Sequence, residues 1–327
     1  MKVQAAAEQQ APQGVRYVDI SADEAGQRVD NFLMRVLKNV PRSRVYRLLR
    51  RGEVRIGGKR AKPDQRLQAG DRVRLPPVRM DDAPILPALP SSQRERLRHA
   101  VIFEDKNLIA IDKPAGIAVH GGSGVSLGVI EALRLERPRE SLELVHRLDR
   151  DTSGCLLIAR TRKALRELHA LIRDGAMEKK YLALVRGSWQ LGEKTIDVPL
   201  ATHHRRSGER HVRAEARGKA SVSVFKPAQF FGARATLMEI DIHTGRTHQI
   251  RVHAQHAGHP VAGDEKYGDA SFNEEMRGFG LDRLFLHAHS IAFEWPGSGT
   301  PAHFSAPLSD DLRAVLNALQ AGSRRRK

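Results

Sequence analysis

The chain has 327 residues, enough for two domains, and its 40% apolar content can fill a core, which excludes wholesale disorder. Lys and Arg outnumber Asp and Glu by 55 to 38, a formal net charge of +17, so a polyanionic partner is expected. There is no apolar run of about eighteen residues, Met1 to Gly14 lacks the apolar centre of a secretion signal, and one cysteine, Cys155, cannot form a disulfide within the chain; these features predict a cytoplasmic protein that makes no membrane contact.

Taken in order, residues 1–15 read as a disordered start and 16–80 as a small basic domain. Tyr17 to Ile20 predicts a strand, and Ser21 to Glu24 has the form of a helix start with acids in its first turn. Val29, Phe32, Leu33, Val36 and Leu37 recur at helical spacing, and Pro41 ends that helix. Ser43 is placed to cap a second helix with Val45, Leu48 and Leu49 on its apolar stripe, Arg42, Arg44, Arg47, Arg50 and Arg51 on the other faces, and Gly52 at its end. Val54 to Ile56, a Gly57-Gly58 turn, Lys59-Arg60 and Gly70 to Leu75 then read as short strands. Between Arg28 and Arg79 sixteen Lys or Arg face four acids, so one segment carries +12 of the +17; Arg42, Arg44, Arg47, Arg50, Arg51, Lys59 and Arg60 are the candidate nucleic-acid contacts.

Prolines at 76, 77, 84, 87 and 90 predict an extended linker over 81–97, before a second domain over 98–319 and a basic tail over 320–327. Val101 to Phe103 and Leu108 to Ile111 read as strands, followed by Lys113-Pro114-Ala115-Gly116. His120 to Gly124 lacks the Gly-Lys-Ser/Thr of a phosphate loop and reads as a substrate-side loop before a helix near Leu127 to Arg134. Between apolar Leu144-Val145 and Cys155 to Ala159 hangs a loop, His146-Arg147-Leu148-Asp149-Arg150-Asp151-Thr152-Ser153-Gly154, rich in groups that carry chemistry. Ala164 to Ile172 is helical in pattern, and Tyr181-x-Ala183-x-Val185 alternates as a strand. Thr195 to Ile242 is β-rich, with a basic loop around His203 to His211, and leads into Thr244-Gly245-Arg246-Thr247-His248-Gln249-Ile250-Arg251.

The loop around Asp149 closely resembles the signature of the pseudouridine synthases of the large-subunit (23S) ribosomal RNA type. Lys-Pro-Ala-Gly, Thr-Gly-Arg-Thr-His-Gln-Ile-Arg, Gly258 to Asp264 and Leu284 to Ala288 are similar to that family in matching order, and residues 16–80 resemble an S4 RNA-binding domain. The S4 module, Ala25 to Leu33 and His120 to Gly124 look most like the C-type branch. The resemblance implies an α+β fold: an S4-type domain joined by a linker to a synthase domain built on a mixed, mainly antiparallel β-sheet flanked by helices. It implies a monomer that acts on 23S ribosomal RNA without cofactor or metal.

In that family the reaction breaks the C1′–N1 bond, turns the uracil and rejoins it through C5. By resemblance Asp149 is the catalytic carboxylate, Arg246 the partner that keeps it ionised, Tyr181 the ring that stacks on the flipped base and the candidate base for C5, and Ile250 the opposite wall. His146 and Arg147 are expected to touch substrate. Arg147 either fills the space left by the flipped base or pairs with Asp151. Whether Asp149 attacks C1′ or removes the C2′ proton stays open.

Three other readings remain. The histidines at 243, 248, 253, 256 and 259 suggest a metallohydrolase, but their spacing gives no helical ligand pair and two arginines lie among them. A noncatalytic RNA-binding or ribosome assembly factor explains the basic module but gives the larger domain no task. Transfer RNA is the alternative substrate.

Overall fold

The glycine pair at 57–58 shows how directly local sequence sets the first unit. Both residues have positive φ, +53° and +81°, as a two-residue hairpin needs, and they join β2 (Arg55–Ile56) to β3 (Lys59–Arg60), strands numbered after β1 (Arg16–Asp19) in chain order. The computed structural model describes residues 14–37, 40, 42–78, 90–121, 127–204 and 210–324, and divides into two units, Met1–Pro87 and Ala88–Lys327.

In the first unit β1, β2, β3 and β4 (Arg72–Leu75) form an antiparallel sheet in the order β1-β4-β2-β3. Val29, Phe32 and Leu33 of α1 (Val29–Val36) and Val45, Leu48 and Leu49 of α2 (Arg42–Arg50) share one buried cluster with Ile56, Val73 and Leu75. The acids at 23 and 24 do not begin α1. Ser21 to Glu24 closes a separate 3-10 turn, with the Ser21 amide donating to the Glu24 carboxylate at 3.2 Å, and Gly26 at φ +80° redirects the chain before α1 starts.

The expected linker ends sooner than 97. Pro90 starts helix α3 (Ser91–Arg98), and its Leu97 is buried in the core of the second unit. With a single apolar anchor among charged residues, the segment has no stripe for a sequence pattern to detect.

The second unit is built on a mixed, mainly antiparallel sheet. In chain order its elements are β5 (Val101–Glu104), β6 (Leu108–Lys113), α4 (Val129–Glu136), β7 (Glu143–Leu144), β8 (Ser153–Ala159), α5 (Arg162–Arg173), β9 (Glu178–Arg186), β10 (Lys194–Asp197), β11 (Leu200–His204), β12 (Arg210–Ala214), β13 (Val222–Phe231), β14 (Ala235–Ile242), α6 (Gln249–His256), α7 (Ala270–Arg277), β15 (Leu286–Glu294), β16 (Pro301–Ser305) and α8 (Asp310–Arg324). The strand order is β10-β13-β14-β9-β15-β8-β6-β5, with β7 beside β8 and β16 beside β15; β11 and β12 form a separate hairpin. Among the described strands, β15 and β8 form the parallel pair.

Both faces of the central strands are covered, which explains why β8 reads as an unbroken apolar run and is buried throughout. Leu156 and Ile158 join the α4 side with Ile109 and Ile111, whereas Cys155, Leu157 and Ala159 face Leu168 of α5. Burial raises the Cys155 thiol pKa to about 12, so it is an inert core residue. Gly154 allows β8 and β15 to approach: at φ +109°, a Cβ there would lie 2.2 Å from the Ala288 carbonyl oxygen. This contact comes directly after the charged loop and fixes its exit.

Candidate active site

The loop from His146 to Gly154 is held from below. Asp149 and Thr152 close a turn, with the Thr152 amide donating to the Asp149 carbonyl at 3.2 Å. Under it lies Lys113, fully buried, whose Nζ donates to the carbonyls of Pro114, Ile117 and Arg150 at 2.8, 2.9 and 3.0 Å. All three ammonium donors are therefore used in tying the Lys-Pro-Ala-Gly loop to the Asp149 loop. Burial lowers the Lys113 pKa to about 7, against the opposing pull of the Asp151 and Asp149 carboxylates.

Asp149 stands where two cavities meet. A cleft of about 2100 Å³ passes Lys113, His120, Arg147, Asp149, His248 and Arg283. A small cavity of about 70 Å³ opens between Asp149, Tyr181, Arg246, His248, Ile250 and Leu286. The β9 register brings Tyr181 there. It lies opposite Ile240 of β14 and Ala288 of β15, is 8% exposed, and packs in one cluster with Ile250 and Leu148. Burial first, and the Asp149 charge second, raise the phenol's pKa, so its resting form is protonated.

Arg246 lines this cavity too, but it does not take the role expected from the sequence. It is exposed, and its Nε donates to the Ala220 carbonyl at 3.1 Å; among the described residues the basic side chain within 4 Å of the Asp149 carboxylate is His248, with Nε2 3.9 Å from Oδ2. The reason is the geometry of the loop before α6. The Gln249 side chain organises that loop by accepting from Thr244 Oγ1 at 2.7 Å and from the Arg246 amide at 3.0 Å, while donating to the Val222 carbonyl and Ser223 Oγ. Arg246 is thereby turned toward residues 220–222, whereas Arg251, one turn into α6, faces inward. Its guanidinium grips Asp264 through two bonds of 2.7 Å. Burial lowers the Arg251 pKa, but the Asp264 bonds and the charges of Asp264 and Asp149 outweigh it and raise it overall. Arg251 and His248 are thus the site residues that sequence reasoning missed. Arg251 stands beside Arg246 in the same motif, and the spacing of His248 suggests only a metal ligand.

His146 is also corrected. Its Nε2 accepts the Leu157 amide at 3.1 Å, and burial lowers its pKa to about 3, so it is a neutral brace for β8 and not a substrate contact. Of the two readings of Arg147, the pairing with Asp151 fails, because Asp151 is held by Arg150 at 2.9 Å; Arg147 is exposed and lines both cavities. Ile250 lines the small cavity at 5% exposure. In the first unit Arg47, Arg50, Arg51, Lys59 and Arg60 are exposed and Arg44 is half-buried, while the side chain of Arg42 lies outside the described residues. Residues 122–126 and 205–209, in the two loops noted from sequence, also lie outside them.

Two of the candidate metal histidines are tied into the fold. His253 bonds Ser223 and the Val198 carbonyl, and His259 bonds the Arg186 carbonyl. Among the described residues no group of three or more His, Cys, Asp or Glu is placed to hold a metal ion, and no helix is long and apolar enough to cross a membrane.

A family model described as RNA pseudouridylate synthase matches residues 107–256, and the S4 domain model matches 27–73. The solved structure of Human RNA Pseudouridylate Synthase Domain Containing 4 superposes with a TM-score of 0.57 at 24% identity, covering 69% of this chain and 95% of that one, so the fold of the second unit is that of an RNA pseudouridylate synthase. The Ribosomal large subunit pseudouridine synthase C of Pasteurella multocida is 52% identical over 312 residues, 94% of this chain and 95% of that protein. The one of Escherichia coli O157:H7 is 51% identical over 310 residues, 94% and 97% of the two. The chain belongs to the RNA pseudouridylate synthase family, as a member with an S4 domain at its N-terminal side.

Proposed function

We propose that this RNA pseudouridine synthase acts on uridines of large-subunit (23S) ribosomal RNA in the cytoplasm, with Asp149 as the catalytic carboxylate. The substrate class rests on the relatives' printed activity and on the basic first unit, whose exposed Arg47, Arg50, Arg51, Lys59 and Arg60 suit a phosphate backbone. The single observation that carries the catalytic assignment is the place of Asp149: a carboxylate with a side chain 19% exposed, at the join of a wide cleft and a small apolar-walled cavity.

The steps follow from that placement. A uridine leaves its stack and enters the small cavity, with Arg147 at the mouth to fill the gap it leaves. Tyr181 and Ile250 then hold the uracil ring between them. Asp149 either attacks C1′ as N1 departs and is displaced when C5 bonds there, or takes the C2′ proton and returns it as C5 bonds; in both cases the C1′–N1 bond breaks, the base turns, C5 bonds to C1′, and the C5 proton leaves as N1 gains one, with no net redox change. Because the resting Tyr181 phenol is protonated, it serves first as a packing surface. The buried Arg251 supplies the positive side of the site, and Arg246 becomes a candidate contact for RNA at the cavity rim.

Tritium release from 23S RNA labelled at uracil C5 tests the reading, with carbodiimide mapping of ribosomal RNA from cells with and without the gene. Sites lost with the gene and regained with the wild-type chain are expected. Release from transfer RNA alone, or normal release by Asp149→Asn, would overturn it.

A further inference from the structure

His248 is the only non-glycine residue with a positive φ among the described residues, at +54°, and it occupies the first position before α6. Such a backbone costs about 1 kcal/mol or more and persists only where its surroundings impose it. Here Gln249 pins the loop on one side, and a chain of hydrogen bonds holds the imidazole on the other. The Val212 amide donates to Tyr267 Oη at 3.0 Å, so the phenol keeps its own proton to give, and His248 Nδ1 lies 2.9 Å away to accept it. An imidazole whose Nδ1 accepts carries its proton on Nε2, and that nitrogen is the one that faces Asp149 Oδ2 at 3.9 Å. Tyr267 is fixed in turn: its ring lies beneath the Arg251 guanidinium at 5.0 Å, and its amide donates to Asp264, the partner of Arg251, at 3.0 Å.

We infer that His248 is a positioning residue for the isomerisation, its Nε2–H set by Tyr267 to orient the Asp149 carboxylate. The inference rests on Asp149 being the catalytic group. The separation of 3.9 Å is about 1 Å longer than a hydrogen bond, as catalytic contacts often are before substrate fills the site. Burial lowers the imidazole's pKa against the raising effect of Asp149, which favours the neutral ring with a single N–H. Burial, in contrast, raises the Tyr267 pKa, so its proton stays available to Nδ1.

The test compares carboxamides that mimic one ring nitrogen each, in steady-state tritium release with the full chain and labelled 23S RNA. His248→Gln places an N–H near the Nε2 position; His248→Asn places one near Nδ1 and tolerates a left-handed backbone. The expected result is a fall in kcat of about 30-fold for His248→Ala and His248→Asn with KM changed by less than about 3-fold, recovery to within about 5-fold of wild type in His248→Gln, and a loss of about 10-fold in Tyr267→Phe. Equal rates for the Ala, Asn and Gln variants, a loss confined to KM, or activity of all variants within about 2-fold of wild type overturns it. If the His248 variants do not fold, Tyr267→Phe decides alone, because it leaves the imidazole and its backbone in place. An inactive wild-type chain would instead count against the proposed function, so the two failures are separate.

Discussion

The two loops that build the site, His146–Gly154 and His243–Arg251, differ in how much of them tertiary contacts decide. In the first, one carboxylate, Asp149, is set forward by a turn of its own residues and braced from below by Lys113. In the second, two arginines five residues apart compete for the same role, and the Gln249 side chain turns Arg246 outward while α6 carries Arg251 inward to Asp264. A local turn fixed the first outcome; a network spanning residues 220–267 fixed the second.

That comparison is easiest to break at its centre. Asp149→Asn keeps the shape and removes the charge; RNA binding should persist in a filter or mobility assay while tritium release falls on the order of 10⁴-fold or more. Next in size, Arg251→Met strips the buried Asp264 of its partner and should cost about 3–5 kcal/mol in chemical unfolding, with activity lost alongside. Arg246→Met removes one exposed hydrogen bond, costs less than about 1 kcal/mol, and should leave kcat within about 5-fold. A folded, active Arg251→Met beside an inert Arg246→Met would reverse the assignment of the two arginines.

A smaller effect sharpens the structural half of the first loop. Burial lowers the His146 and His287 pKa values to about 3 and about 4, against about 6.5 in an unfolded chain. Within that window the unfolded state binds protons that the folded state refuses, so stability is full above about pH 6.5 and falls as pH drops toward 4. Thermal melts at about pH 7 and about pH 5 should show the Tm falling, and a flat Tm between them would show these imidazoles to be accessible in the fold. Arg147→Ala should lower kcat/KM by about 10-fold without affecting the melt, because the side chain lies exposed at the cavity mouth.

Much was legible in the chain itself. The spacing of Val29, Phe32 and Leu33, the Gly57-Gly58 turn, the apolar run after Gly154 and the alternation around Tyr181 all became the elements they predicted, because each depends on contacts within a few residues or on which face of one strand is buried. Helix α3 escaped because Leu97 alone anchors it, and a lone apolar residue has no period.

What the sequence by itself determined is the set of chemical groups and their local presentation: an aspartate on a braced loop, a tyrosine on a strand, a basic module ahead of both. Only the tertiary structure decided which of two neighbouring arginines lies inside, that His146 supports a strand, and that His248 faces Asp149. Those outcomes turn on partners brought in from other segments: a hydrogen bond of His146 with Leu157, of Arg251 with Asp264 and of His248 with Tyr267, and the approach of His248 to within 3.9 Å of the distant Asp149. Spacing along the chain carries no record of such partners, because the direction of a long polar side chain is set by whichever acceptor the folded neighbours bring within about 3 Å.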